Sequence, residues 1–240
     1  QWEKIGPINE DYKGRVSAYD PLSGNVFSRG KYYICEFDPH TNAWNKRYRY
    51  GGGWWSTPTA SIDPINRKMV LLGGCRLDVF NLETHEYTSY QEKDLKGDTE
   101  ILCDDAPGFV YHPEENKFVA WAGGGNDHTI DPVTVYVIDP VTLDIEMRYP
   151  AASNTVIPSE AAKWGTFGRF RYVPSLDVFV LVNSIYDNVY VYKLSQNSSP
   201  PPGWGKTNSV ADPTIESNIH SIGIEWNIEG DDNQNAECTV

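Results

Sequence analysis

One short pattern recurs four times along the chain and restricts what it can become: a strand-like run closes on a proline, a polar turn follows, and a second strand-like run begins. The closing runs are Val16-Ser-Ala-Tyr-Asp-Pro21, Thr59-Ala-Ser-Ile-Asp-Pro64, Phe109-Val-Tyr-His-Pro113 and Arg169-Phe-Arg-Tyr-Val-Pro174, spaced 43, 49 and 61 residues apart. The turns are Leu22-Ser-Gly-Asn25, Ile65-Asn-Arg-Lys68, Glu114-Glu-Asn-Lys117 and Ser175-Leu-Asp177, and runs such as Met69-Val-Leu-Leu-Gly-Gly74 and Phe118-Val-Ala-Trp-Ala-Gly-Gly124 come next. Two strands joined by about four turn residues make a β-hairpin.

A third strand ends in a second repeated unit, Phe37-Asp-Pro-His-Thr-Asn-Ala-Trp44, Phe80-Asn-Leu-Glu-Thr-His-Glu-Tyr87 and Ile138-Asp-Pro-Val-Thr-Leu-Asp-Ile145. Its Asp or Asn can bond the turn backbone and its Thr can close it, so the final aromatic or apolar residue opens a fourth strand. Four antiparallel strands at this period predict the blade of a β-propeller, in which each twisted sheet buries its faces against its neighbours. The expected fold is therefore all-β, with four recognisable four-stranded blades.

These blades resemble those of the kelch-repeat family, with the diglycine kept as Gly73-Gly74 and Gly123-Gly124 but replaced by Arg29-Gly30 and Val182-Asn183 in the first and fourth repeats. The resemblance covers about residues 1–195. It implies a ring of six or seven blades in all, and a family that includes binding scaffolds and copper enzymes of the galactose-oxidase type. Tyr111-His112 superficially resembles that enzyme's Tyr-His copper pair, but His112 falls on the turn position of Asp20, Asp63 and Val173, and the remaining ligands cannot be assembled. No metal site and no cofactor are expected.

Gln1-Trp-Glu-Lys-Ile-Gly-Pro7 resembles an outermost strand with no blade before it, and the fourth repeat stops after Val189-Tyr-Val-Tyr-Lys-Leu194 without an outer strand. The four blades are thus expected to be part of a larger ring, or a small ring closed by residues 1–7. Residues 196–207 read as a Pro-rich linker. In residues 208–240, His220-Ser-Ile-Gly-Ile-Glu-Trp226 alternates like a strand, residues 229–235 turn and Ala236–Val240 begin another. That pair resembles the opening hairpin of a fibronectin type III-like domain.

Strand alternation puts the short turns on one face of the disc and the long connections, Tyr50–Thr57, Gln91–Pro107, Gly123–Thr134 and Pro150–Phe167, on the other. Long loops in compact repeats concentrate function. On that face Trp54, Trp55 and Trp164 could form a platform for a sugar, with Arg169 or Arg171 bonding its hydroxyls, or could wedge between blades as core aromatics. Asn126, Asp127, His128 and Asp131 form the most polar stretch and could do acid–base work or bind a divalent ion; a solvated turn is the plainer reading. Asp94, Asp98, Glu100, Asp104 and Asp105 could supply a carboxylate pair for glycoside hydrolysis, or form an exposed acidic loop. Cys75 and Cys103 fall near the same face and could form a disulfide, whereas Cys35 alternates with Tyr33 and Phe37 as a buried thiol does.

With Lys plus Arg at 20 against Asp plus Glu at 33, a net charge of −13 repels a phosphate backbone, and no apolar run is long enough for a membrane helix, so neither nucleic acid nor a membrane span is expected. An acidic chain with 8 Trp, 15 Tyr and 8 Phe suits a secreted or surface binding module for a glycan or a protein. A polysaccharide hydrolase or lyase and a structural subunit assembling through open strand edges are the alternatives.

Overall fold

The structure is a computed structural model and describes residues 16–50, 58–123, 131–162 and 165–196, together with the backbone of four short strands beyond residue 207. Two units are distinct: Gln1–Met147 with Val156–Leu194, and Arg148–Thr155 with Ser195–Val240. The first holds four antiparallel sheets. They are β1 (Val16–Tyr19), β2 (Val26–Arg29), β3 (Tyr33–Asp38) and β4 (Ala43–Arg49); β5 (Thr59–Asp63), β6 (Lys68–Leu72), β7 (Leu77–Asn81) and β8 (Tyr87–Tyr90); β9 (Gly108–His112), β10 (Lys117–Trp121), β11 (Val135–Ile138) and β12 (Ile145–Arg148); and β13 (Phe170–Val173), β14 (Val178–Leu181) and β15 (Tyr190–Tyr192). In each, neighbours in sequence are neighbours in space. Among the described residues the last sheet has three strands, matching the repeat that ends without an outer strand.

The first strand of each sheet packs beside the first strand of the next, β1 against β5, β5 against β9 and β9 against β13. Sheets arranged side by side by their innermost strands are propeller blades. Their middle strands are apolar on both faces because both faces are covered: Met69, Val70, Leu71 and Leu72 on β6 and Phe118, Val119 and Ala120 on β10 are fully buried. Phe27, Ile34, Ile62, Met69 and Phe80 cluster between the first two blades, Val70, Leu77, Phe109, Phe118 and Tyr136 between the next two, and Val119, Trp121, Phe170, Phe179 and Leu181 between the last two. Each such side chain contributes about 1.5–3 kcal/mol when withdrawn from water.

All seven short turns of these blades follow one plan. Asp20, Asp38, Asp63, Asn81 and Asp139 accept hydrogen bonds from the backbone N–H groups two and three residues on, as Asp139 Oδ1 does from Val141 and Thr142 at 2.7 and 2.8 Å. The fourth residue after each anchor is left-handed: Gly24, Asn42, Arg67, His85 and Leu143. His112 and Val173 stand at the anchor position of the other two turns, whose left-handed residues are Asn116 and Asp177. There Asp177 Oδ1 instead accepts from Tyr172 Oη at 3.0 Å and lies 3.2 Å from His112 Nε2, tying the third blade to the fourth.

In the second unit, β16 (Asn208–Ser209) pairs with β19 (Ile228–Glu229), and β17 (Thr214–Ser217) with β18 (Ile222–Glu225), both antiparallel. The strand expected at His220–Trp226 is present as β18. Its partner is β17, a segment not read as a strand, and Ala236–Val240 lie outside the described residues. No helix among the described residues is long and apolar enough to cross a membrane.

Candidate functional site

Opposite the short turns lie the β2–β3, β6–β7, β10–β11 and β14–β15 connections and the segments joining one blade to the next. Of the residues expected to bind ligand there, Trp54, Trp55, Asp127, His128 and Trp164 lie outside the described residues. Arg169 is described, at the end of a 3-10 turn, Phe167–Arg169, that leads into β13. Its guanidinium donates from Nε to Thr166 O at 3.2 Å, from Nη1 to Asn183 O at 3.1 Å and from Nη2 to Gly165 O. It therefore binds the entry to β13 to the end of β14. Arg171 is exposed and its Nε donates to Gly168 O at 2.7 Å.

The acidic stretch Asp94–Asp105 separates into unlike carboxylates. Asp94 Oδ2 accepts from its own turn at Gln91 N, 3.0 Å, and Asp98 Oδ2 accepts from Met147 N, 2.8 Å. Backbone bonds reinforce the second contact: Asp98 N donates to Ile145 O and Ile145 N to Lys96 O, at 3.0 and 2.9 Å. Gly97, at φ +92°, allows this approach, since a Cβ there would stand 1.8 Å from Ile145 O. Farther on, a 3-10 turn at Thr99–Cys103 buries Ile101 and Leu102. Cys103 forms a disulfide with Cys75 in the β6–β7 turn, where Cys75 N also donates to Leu102 O at 2.8 Å. The connection is thus a strap fastened to β12 at one end and to the second blade at the other.

Asp104 follows the disulfide and is 3% exposed, whereas Asp105 is exposed. Oδ2 of Asp104 accepts no hydrogen bond among the described residues. Burial foremost, then the charge of Asp105, push its pKa up to about 7, against a hydrogen bond from the Asp105 N–H. From sequence alone it groups with an exposed acidic loop, because its burial is a property of the fold and leaves no local mark.

A second polar cluster, between the first and second blades, had no sequence signal beyond its residue types. Asp78, wholly buried on β7, accepts from Ser89 Oγ at 2.6 Å and from Tyr87 Oη, and Arg76 Nε lies 3.9 Å from it. Burial and then the Asp78 charge hold the Tyr87 phenol far above its ordinary pKa. Arg29, 1% exposed, lies 4.6 Å from the centroid of the Tyr50 ring, and Tyr50 Oη donates to Gly30 O. Every phenol named here is engaged within the fold, so the cluster serves as a seam between blades. No group of three or more His, Cys, Asp or Glu side chains that could hold a metal converges among the described residues.

No family model matches the sequence. No curated protein matches it. Among solved structures, hydrazine synthase from Kuenenia stuttgartiensis is 10% identical at a TM-score of 0.49, the match covering 80% of this chain and 48% of that one. A protein of unknown function from Bacteroides thetaiotaomicron is 16% identical at a TM-score of 0.47, covering 72% and 42%, and an auxiliary nutrient binding protein from Bacteroides ovatus is 16% identical at 0.45, covering 70% and 45%. The chain spans under half the length of each. At these identities and scores the likeness carries no function across.

Proposed function

We propose that this chain is part of a secreted or surface binding module whose ligand, a glycan, docks on the long-loop face of a kelch-like propeller. The observation that carries this reading is the asymmetry of the two faces. One has, among the described residues, seven tight turns, five closed by a side-chain anchor and two by a backbone bond within the turn. The other carries every long connection, a disulfide-fastened strap and the Arg169 clamp. Trp54, Trp55 and Trp164 are the proposed stacking surfaces, with Asp127 and His128 proposed to bond sugar hydroxyls and Arg169 fixing the turn that enters β13. The disulfide supports an oxidising, extracellular setting. Residues 208–240 are proposed as part of a following fibronectin type III-like domain, after a linker at 196–207.

Glycan-array binding tests the reading directly: the wild-type chain binds, and a Trp54/Trp55/Trp164 triple Ala variant loses at least tenfold in affinity. Binding unchanged in that variant removes the platform. A protein ligand is the second reading, favoured by the large apolar side chains on the same face of the fourth blade. Ile157, Ile185 and Tyr186 are 66%, 89% and 91% exposed, and Asn183 Nδ2, donating to Ser159 O at 2.5 Å, joins their two segments. Substituting Ile185 and Tyr186 by Ser separates the readings, because glycan binding on the tryptophans survives it and protein capture through this patch does not.

A further inference from the structure

Asp104 has no part in the binding surface just described, and its surroundings are those of a group whose charge the fold resists. Two residues on, Ala106 O accepts from Thr166 N at 2.8 Å and from Phe167 N at 3.0 Å, so the end of the strap directly supports the entry to β13. The approach is close: at Gly165, φ +91°, a Cβ would stand 2.5 Å from Asp105 O and 2.6 Å from Ala106 Cβ. The disulfide holds the strap only as far as Cys103, which leaves Asp104–Pro107 as the link between a cross-linked segment and β9.

We propose that protonation of Asp104 is a switch for the long-loop face: with the carboxyl neutral the strap end packs down and holds Gly165–Phe167, and with the carboxyl charged that contact loosens. The charged groups around it give no compensation among the described residues. On its own segment Asp105 is a like charge that opposes a second one. From the β6–β7 turn, Cys75 is oxidised and Arg76 is directed to Asp78. From the segment entering β13, Arg169 is directed to the three carbonyls of its clamp. The folded protein therefore holds the Asp104 proton more tightly than an unfolded chain does, and the change falls near neutral pH. The inference stands whether or not the face binds a glycan.

Hydrogen exchange at the Thr166 and Phe167 amides, corrected for the intrinsic pH dependence of exchange, reads the switch. Between pH 5.5 and 8.5 the wild-type chain is expected to lose at least tenfold in protection at these two amides. The Leu143 amide, bonded to Asp139 O on the opposite face at 3.0 Å, keeps its protection. Asp104→Asn holds the two amides protected at both pH values, and Asp105→Asn moves the transition to lower pH. Unchanged wild-type protection at Thr166 and Phe167, or the same loss in Asp104→Asn, overturns the proposal. Should Asp104→Asn fold poorly, side-chain carboxyl NMR of the wild-type chain decides: an Asp104 carboxyl titrating near pH 7 supports the switch, and one titrating near pH 4 overturns it.

Discussion

Asp20 and Asp104 are both buried, yet their neighbours drive them in opposite directions. Burial alone raises a carboxyl, but at Asp20 it is outweighed by Arg67, whose Nη1 and Nη2 meet Oδ1 and Oδ2 at 2.9 and 2.8 Å, with Ser23 and the Leu22 N–H adding to it. At Asp139 burial is likewise overcome, by Lys117 and two turn N–H groups, holding the pKa at about 2. Their stabilisation is complete above the ordinary carboxylate range and is lost as pH falls through the lowered values. Asp104 has the reverse sign, its contribution being complete below about pH 4 and falling as pH rises to about 7. Chemical denaturation across pH 2–9 is therefore expected to show a maximum near pH 4–5, with Asp104→Asn flattening the decline on the alkaline side. Arg67→Ala strands the Asp20 charge and is expected to cost about 3 kcal/mol by urea unfolding. None of these differences was legible in sequence, where Asp20, Asp104 and Asp139 are three aspartates beside turns; the cations that pair with Asp20 and Asp139, Arg67 and Lys117, lie on other blades or strands, and the burial of Asp104 is set by the fold.

The hairpin turns were the most legible elements, because an anchoring Asp or Asn acts locally and leaves its mark within four residues. The left-handed position was not legible, since Arg67, His85 and Leu143 adopt it without any glycine to announce it. There the anchor overrides local preference. Asp139→Ala removes two backbone contacts and the Lys117 pair, and is expected to cost about 1–2 kcal/mol, read as a lower urea midpoint at unchanged slope. β17 escaped notice because four residues after Pro213 give too short an alternation to stand out. At the strap, the Cys75–Cys103 bond closes a loop with a separation of 28 residues. Reduction, or paired replacement by Ser, is expected to cost about 3–4 kcal/mol on chain-entropy grounds.

Across the blades, adhesion depends on side chains that fit only one spacing. Gly108 opens β9 where a Cβ would stand 2.5 Å from the Phe170 Cβ of the next blade, so Gly108→Ala is expected to push the third and fourth blades apart and lower the melting temperature by several degrees. Trp121, buried in that seam with its indole N–H on Pro132 O at 2.7 Å, reports the change by fluorescence. Blade number and order within the first unit followed from the repeat, while the seams did not, because Phe109, Phe170 and Phe179 read as any strand aromatics until the sheets are stacked. The cross-link has one more effect, on a chain that has been cut. Cys75 and Cys103 bracket β7, β8 and most of the strap, so a protease that nicks the backbone anywhere between them produces two pieces that still migrate as one molecule until a reductant is added.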